Sequence, residues 1–371
     1  MLILRAVLAV AALSASIPAG CGGGGGGEAQ PVGLRQRPVP SAFVGLVVED
    51  LLAGDRVERA RILREIRAAG VGLVRQTFDW SNIERRPGRF RFGPYDRYLA
   101  TLAARRIRVL PILFNPPAFR SSAPPKGRRP GTFPPRRPAD MGVFAAALVR
   151  RYGPNGTFWD KRPKLLKLPI TSWQVWNEPN LERYWASGPD ASEYVRLLRT
   201  VSKAIKEVDP RAEVVSAGLP ESASGIPLRS YLAAMYRAGA SSAFDTLAIH
   251  PYARDSAGLF SAVRAVRGLM TRFRDRSPIW VTEMGWASDG PPSEFTVGEP
   301  GQADRLADAI EGLARLRSRF GIRGFVYFNW RDSPPYRGGT DFWGLHTGLL
   351  RRDGTPKPAF STYQRSVKRI R

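Results

Sequence analysis

Eight short apolar runs alternate with eight amphipathic stretches over about 330 residues, which predicts an α/β fold of the (β/α)8 TIM-barrel kind in a single domain. Each run is rich in Val, Ile, Leu, Phe or Trp, as a parallel strand buried on both faces requires. The rival, a doubly wound open sheet, would usually carry a Gly-rich phosphate turn after its first strand. Glu49-Asp50-Leu51-Leu52 stands there instead, and the Gly run at 22–27 precedes every strand. Hydrophobic residues make up 43% of the 371, enough for a large buried core and too many for a disordered chain.

Met1–Cys21 is expected to direct export: Arg5 supplies the positive charge, and Ala6–Leu13 is apolar but too short to span a bilayer. Ile17-Pro18-Ala19-Gly20-Cys21 is similar to a bacterial lipobox, which implies a lipid anchor at Cys21, although Pro18 stands where such boxes carry an aliphatic residue. A plain secretory signal is the alternative, and either places the mature protein outside the cytoplasm. Residues 22–40 read as a flexible Gly-rich linker, and 41–371 as the barrel.

Within the barrel the strands are expected at 43–48, 72–78, 107–114, 172–176, 213–217, 246–250, 279–283 and 324–330. The helices are expected at 56–69, 94–105, 139–151, 191–208, 228–238, 259–274, 302–320 and 359–370. In the first helix Ala60, Ile62, Leu63 and Ile66 share a face opposite Arg61, Arg64 and Arg67. Asp55 and Asp190 are suited to N-caps, and Gly70 and Gly239 to helix stops.

Composition narrows the function. One cysteine excludes a disulfide framework and a Cys-based metal cluster, and two histidines exclude a multi-histidine centre. No cofactor is called for, although carboxylates alone can hold a hard cation. The net charge of +25 comes largely from arginine, 49 of the 57 basic residues. These are spread along the chain, bunching only at 126–137 and 161–167 without a nucleic-acid motif. A solvated surface is therefore expected rather than a specific nucleic-acid partner.

Barrels of this kind carry their chemistry at the C-terminal ends of the strands. Those ends hold Arg75 and Trp80, Asn115, Trp176-Asn177-Glu178-Pro179, His250-Pro251-Tyr252, Thr282-Glu283-Met284-Gly285-Trp286 and Asn329-Trp330. Glu178 and Glu283 each close an apolar strand, where desolvation is tolerable only with partners or protonation. Facing one another across the mouth, two such groups repel, and the repulsion splits them into an acid and a base. Glycoside hydrolysis needs that pair. The structural alternative is that each Glu caps a helix or pairs with an arginine.

Trp176-Asn177-Glu178-Pro179 and Thr282-Glu283-Met284-Gly285-Trp286 resemble the signatures of clan A retaining glycoside hydrolases, nearest to the family 5 cellulase-like and family 39 xylosidase-like enzymes. The resemblance spans nearly the whole mature chain. It implies Glu178 as general acid/base, Glu283 as nucleophile, Asn177 on the sugar 2-hydroxyl and Arg75 beside the Glu283 carboxylate. His250 and Tyr252 match a His-x-Tyr element that orients the nucleophile and lines the −1 subsite. Trp330 resembles the tryptophan beneath the −1 sugar. Trp80, Trp176 and Trp286 are further candidates for outer subsites, with ordinary core packing as the alternative.

The expectation is thus a metal-independent, monomeric hydrolase acting with retention on β-linked glycans, lipid-anchored or secreted. The alternative is a non-catalytic glycan-binding surface lipoprotein. The Pro- and Arg-rich loop 115–137 implies either an anionic substrate such as a uronate chain or surface charge alone.

Overall fold

Beyond the linker the apolar runs pair as strands, and the alternation of strand and helix wraps them into a ring. The computed structural model describes residues 38–54, 56–125, 129–222, 224–336 and 339–371. The export segment, Cys21, the glycine tether and the Asp55 cap lie outside the described residues. No helix among the described residues is long and apolar enough to cross a membrane.

The strands are β1 (Val44–Val47), β2 (Leu73–Asp79), β3 (Arg108–Phe114), β4 (Ser172–Val175), β5 (Glu213–Val215 and Leu219–Pro220), β6 (Leu247–His250), β7 (Ile279–Met284) and β8 (Ile322–Tyr327). All neighbouring pairs are parallel. The first half of β5 pairs with β4 and its second half with β6, and Val215 bridges Thr246, so the sheet closes into the expected barrel.

Around it run α1 (Arg56–Ala68), α2 (Gly93–Ala103), α3 (Pro138–Tyr152), α4 (Ala191–Val208), α5 (Leu228–Arg237), α6 (Ser256–Arg272), α7 (Gly298–Phe320) and α8 (Pro358–Arg369). Asp190 caps α4, accepting from the amides of Ser192 and Glu193 at 2.7 and 3.0 Å. Gly70 and Gly239 take the left-handed backbone expected of helix stops, at φ +81° and +82°. The helix α6 starts three residues before its expected Leu259, because Asp255 caps the Gly258 amide at 2.8 Å.

Two side-chain layers fill the barrel. Alternate residues of a strand share a face, so Val47, Leu73, Leu110, Val215, Ala248, Trp280 and Val326 meet inside the ring as a buried apolar plug. Two residues further along the same strands stand Glu49, Arg75, His250, Thr282 and Phe328. The plug is the floor, and the polar layer above it carries the site.

The fifth strand departs from the expected continuous run. The ladder breaks after Ser216, whose amide still donates to the Thr246 carbonyl at 3.0 Å: its Oγ accepts from the Ala248 amide at 2.9 Å, while the Ala217 amide donates to the Tyr194 hydroxyl at 2.6 Å. The break brings Gly218 under the His250 ring, where a Cβ would lie 2.0 Å from Nε2. Only glycine permits that approach.

Candidate active site

Three strands meet through one guanidinium. Arg75, buried at the middle of β2, donates from Nε to Gln174 Oε1 at 2.7 Å and from Nη2 to Asn177 Oδ1 at 2.9 Å. Its Nη1 is bonded to Glu283 Oε1. Gln174 passes the constraint on, donating to the Ser216 carbonyl and to Thr282 Oγ1 at 3.1 and 3.3 Å. A buried charge is tolerable here because its donors are matched by acceptors of fixed position.

Glu178 follows β4 in a backbone that sequence rules disfavour. Its φ is +45° and that of Trp176 is +75°, both left-handed for non-glycine residues. Such a conformation costs about 1–3 kcal/mol and persists only where the surroundings over-determine it. Here the Glu178 amide donates to the Gly218 carbonyl at 3.1 Å, and its own carbonyl accepts from Leu181 at 3.0 Å. The turn drives the side chain into the mouth, where Oε1 lies 2.7 Å from His250 Nδ1. Burial pushes the Glu178 carboxyl above the usual carboxylate range; His250 pulls it back, and the charge of Glu283 adds to the rise.

Glu283 meets the opposite balance. Burial would raise it as well, but His250, Arg75 and the Tyr252 hydroxyl outweigh that and hold it below the usual carboxylate range. The Tyr252 hydroxyl donates to Oε2 at 3.1 Å, and His250 Nδ1 stands 3.7 Å from the same oxygen. The second ring nitrogen of His250 meets Thr282 Oγ1 at 3.1 Å. One carboxylate oxygen of each glutamate and one His250 nitrogen all lie within 4.8 Å of one another. This trio is the cluster among the described residues that could hold a cation; the guanidinium already on Glu283 supplies the positive charge a cation would bring.

Of the residues singled out in the sequence, Arg75, Asn177, Glu178, His250, Tyr252 and Glu283 come together. The tryptophans do not. Trp80 stacks on Phe144 at 5.1 Å and donates to Glu84 at 2.6 Å. Trp176 donates to the Tyr184 carbonyl at 2.9 Å and meets Trp185 edge-on, and Trp286 donates to the Ala253 carbonyl at 2.8 Å. All three are buried. Trp330 packs edge-on against Phe360 of α8 and does not line the hollow around the glutamates. Phe328 stands there instead, two residues beyond the inward-facing Val326.

Sequence reasoning missed the cleft's own walls. An inner hollow of about 210 Å³ is lined by Glu49, Arg75, Asn177, Glu283 and Phe328 among others. An outer cleft of about 610 Å³ adjoins it, bounded by Arg183, Tyr184, Phe295, Tyr336, Phe342 and Trp343. Glu49 and Phe328 were legible by strand parity, two residues beyond the inward Val47 and Val326. Phe342 and Trp343 lie in an irregular segment with no local signal. Burial, the charge of Glu283 and that of Asp50 raise the Glu49 carboxyl, with Arg75 opposing.

The described residues of the basic loop do not line this cleft. Arg120 pairs with Glu84 and Asp140 at 2.8 and 3.1 Å, and Arg136 donates to the Ser121 carbonyl at 2.7 Å. Residues 126–128 lie outside the described set. The cleft itself carries Glu49, Glu178, Glu182, Glu221, Glu283 and Glu294 against Arg75 and Arg183.

Known proteins share this architecture. The chain is 24% identical to a β-xylosidase of Caldicellulosiruptor saccharolyticus, over 60% of this chain but only 43% of that enzyme's length. A family 39 glycoside hydrolase of Bacteroides cellulosilyticus superimposes with a TM-score of 0.62 at 21% identity, covering 88% of this chain and 63% of the other. A monomeric β-xylosidase of Caulobacter crescentus gives 0.63 at 18%, covering 88% and 68%. A sequence model of the glycosyl hydrolase catalytic core matches residues 158–363, taking in both glutamates and every strand from β4 onward. The chain therefore belongs to the glycosyl hydrolase catalytic core family, and its fold is similar to that of family 39 enzymes.

Proposed function

We propose that the protein is a β-glycosidase that works with retention, Glu283 as nucleophile and Glu178 as acid and then base. The carrying observation is the carboxylate spacing, with one oxygen of each glutamate within 4.8 Å. Retaining pairs stand about 5–5.5 Å apart, whereas inverting pairs stand about 6.5–9.5 Å apart to admit a water. The opposed environments divide the roles: burial raises Glu178 and favours its protonated form, whereas its donors lower Glu283 and favour its ionised form.

In the first step Glu283 attacks the anomeric carbon and the glycosidic C–O bond breaks, the Glu178 proton going to the departing oxygen. In the second, Glu178 as carboxylate takes a proton from water, whose oxygen displaces the sugar from Glu283 and restores both groups. Asn177 has its carbonyl occupied by Arg75, which leaves the amide Nδ2 to donate to the sugar 2-hydroxyl. The carboxylate-rich cleft favours a neutral glycan over a uronate chain.

Replacing Glu178 with Ala should reduce cleavage of unactivated glycans by roughly 10²–10⁴-fold while sparing aryl glycosides with good leaving groups, with azide restoring turnover as a β-glycosyl azide. Full activity of that variant on glycan would overturn the assignment. A wild-type protein that bound glycan without cleaving it would return the surface-binding reading.

The proposal extends to location and assembly. Export by Met1–Cys21 with a lipid on Cys21 rests on the sequence pattern, and loss of fatty-acid label on Cys21→Ser would support it. A monomer is proposed by analogy with the Caulobacter crescentus enzyme, to be checked by sedimentation.

A further inference from the structure

The strands begin on the face opposite the cleft, and cations gather there. Arg108 opens β3, Lys167 and Arg211 stand shortly before β4 and β5, and Arg276 stands shortly before β7. All four are exposed, and no hydrogen bond or ion pair holds their side chains among the described residues. The acids of this end are placed differently. Glu213 accepts from the hydroxyls of Ser172 and Thr246 at 2.5 and 2.6 Å, and Asp245 is paired with Lys206 at 2.8 Å. Asp275 is buried and accepts from the Tyr236 hydroxyl at 2.7 Å, while Asp160 stands exposed. The charge that this face offers to a partner is therefore mainly positive.

Two further features narrow the partner. Leu166 is 43% exposed between Lys164 and Lys167, and Phe273 is 36% exposed between Arg272 and Arg274. An apolar side chain flanked by cations suits the edge of a bilayer, where anionic head groups overlie the acyl region. A soluble polyanion supplies the first of those and not the second. Beneath the apolar plug, a pocket of about 370 Å³ opens on this face with Arg108 and Arg323 in its wall. Arg323 lies over the Trp280 ring at 5.3 Å and faces Glu213 at 3.4 Å, which leaves Arg108 as the unpaired cation of the pair. Pro40, Ser41 and Ala42 line the same pocket, so the chain enters the barrel here. Cys21 stands 17 positions before Pro38 in the sequence, and a lipid there would tether the barrel by this end.

From these observations we propose that the strand-start face docks on an anionic lipid surface. Arg108, Lys167, Arg211 and Arg276 meet head-group phosphates, Leu166 and Phe273 enter beneath them, and the cleft is turned to the opposite side. The docking stands apart from the glycosidase reading, and it adds to a lipid on Cys21 without requiring one.

Co-sedimentation with vesicles tests it. The full chain carries Cys21→Ser, so that no lipid contributes, and the chain from Pro38 is measured beside it, since Pro38–Arg371 is compact by itself and holds both buried core clusters. Vesicles of phosphatidylcholine with about one-third phosphatidylglycerol should bind at least about tenfold more tightly than phosphatidylcholine alone, and about 0.5 M salt should erase the difference. Replacing Arg108, Lys167, Arg211 and Arg276 together by Gln should abolish that preference. Replacing Arg85, Arg86, Arg89 and Arg91 by Gln, all exposed on the hairpin after β2 at the cleft end, should leave it within about twofold. The two variants have the same net charge, so overall charge cannot account for a difference between them. Leu166→Ser with Phe273→Ser should weaken binding to the anionic vesicles and leave retention on heparin unchanged. Equal losses in the two quadruple variants, or binding indifferent to phosphatidylglycerol, would overturn the proposal. Retention on heparin without any binding to vesicles would overturn it too, and would mark a site for a soluble polyanion instead.

Discussion

Gly218→Ala adds one methyl group beneath the His250 ring, and the structure sets what that methyl must do. The new Cβ would fall 2.0 Å from Nε2, 2.4 Å from Cδ2 and 2.7 Å from Cε1 of His250. Non-bonded carbons settle at about 3.5 Å or more, so the ring must retreat by about 1.5 Å or the broken β5 must open. Either movement disturbs the 2.7 Å contact of Nδ1 with Glu178, the 3.1 Å contact of Nε2 with Thr282, or the Gly218 carbonyl that holds the Glu178 amide. Overpacking of this kind costs about 1–3 kcal/mol of stability. A displacement on the order of 1 Å at a reacting group costs about 100-fold in rate. We expect a folded variant with a lower unfolding midpoint and kcat/KM down by about two orders of magnitude. Circular dichroism and initial rates on an aryl β-glycoside would measure both. Unchanged kcat/KM in a folded variant would refute the claim that Gly218, through His250, sets the position of Glu178.

Other expectations follow from single contacts. Activity should be bell-shaped in pH, falling below the lowered pKa of Glu283, which must be ionised, and above the raised pKa of Glu178, which must be protonated. Tyr252→Phe removes a donor to the Glu283 carboxylate, so the acid limb should move to higher pH; a kcat/KM profile with that limb unmoved would count against Glu283 as the nucleophile. Trp343→Ala strips the outer cleft of an indole lying 4.5 Å from Phe295 and 5.1 Å from Tyr252, and should weaken oligosaccharide binding roughly tenfold, about 1.4 kcal/mol, in a titration. Trp330→Ala should act chiefly through packing, losing about 3–5 kcal/mol in chemical denaturation.

Much of the molecule was legible in the order of its residues. Parallel strands buried on both faces must be continuously apolar, so the runs at 107–114 and 279–283 announced themselves, and the beat of strand and helix gave the barrel. Its topology sends strand ends to one rim, which is why Glu178 and Glu283, some hundred residues apart, could be read as a pair. Local pattern also said where to look for Arg75, Asn177, His250 and Tyr252. It failed for the tryptophans, because an indole near a strand end looks alike whether it faces a sugar or a helix. Trp80 and Trp330 turned to Phe144 and Phe360, partners brought near only by the packing of α3 and α8.

The sequence by itself determined the alternation that closes the sheet and the chemical kind of the groups on its rim, since both depend on residue type and spacing. Only the tertiary structure decided their states. How readily a carboxyl holds its proton depends on which donors reach it: Glu283 is lowered by His250 and by a guanidinium from a strand more than two hundred positions earlier. The break at Ser216–Gly218 and the left-handed turn at Glu178 belong to the same class. Each costs free energy locally and is repaid by contacts between segments distant in the chain, a balance that no window along the sequence contains.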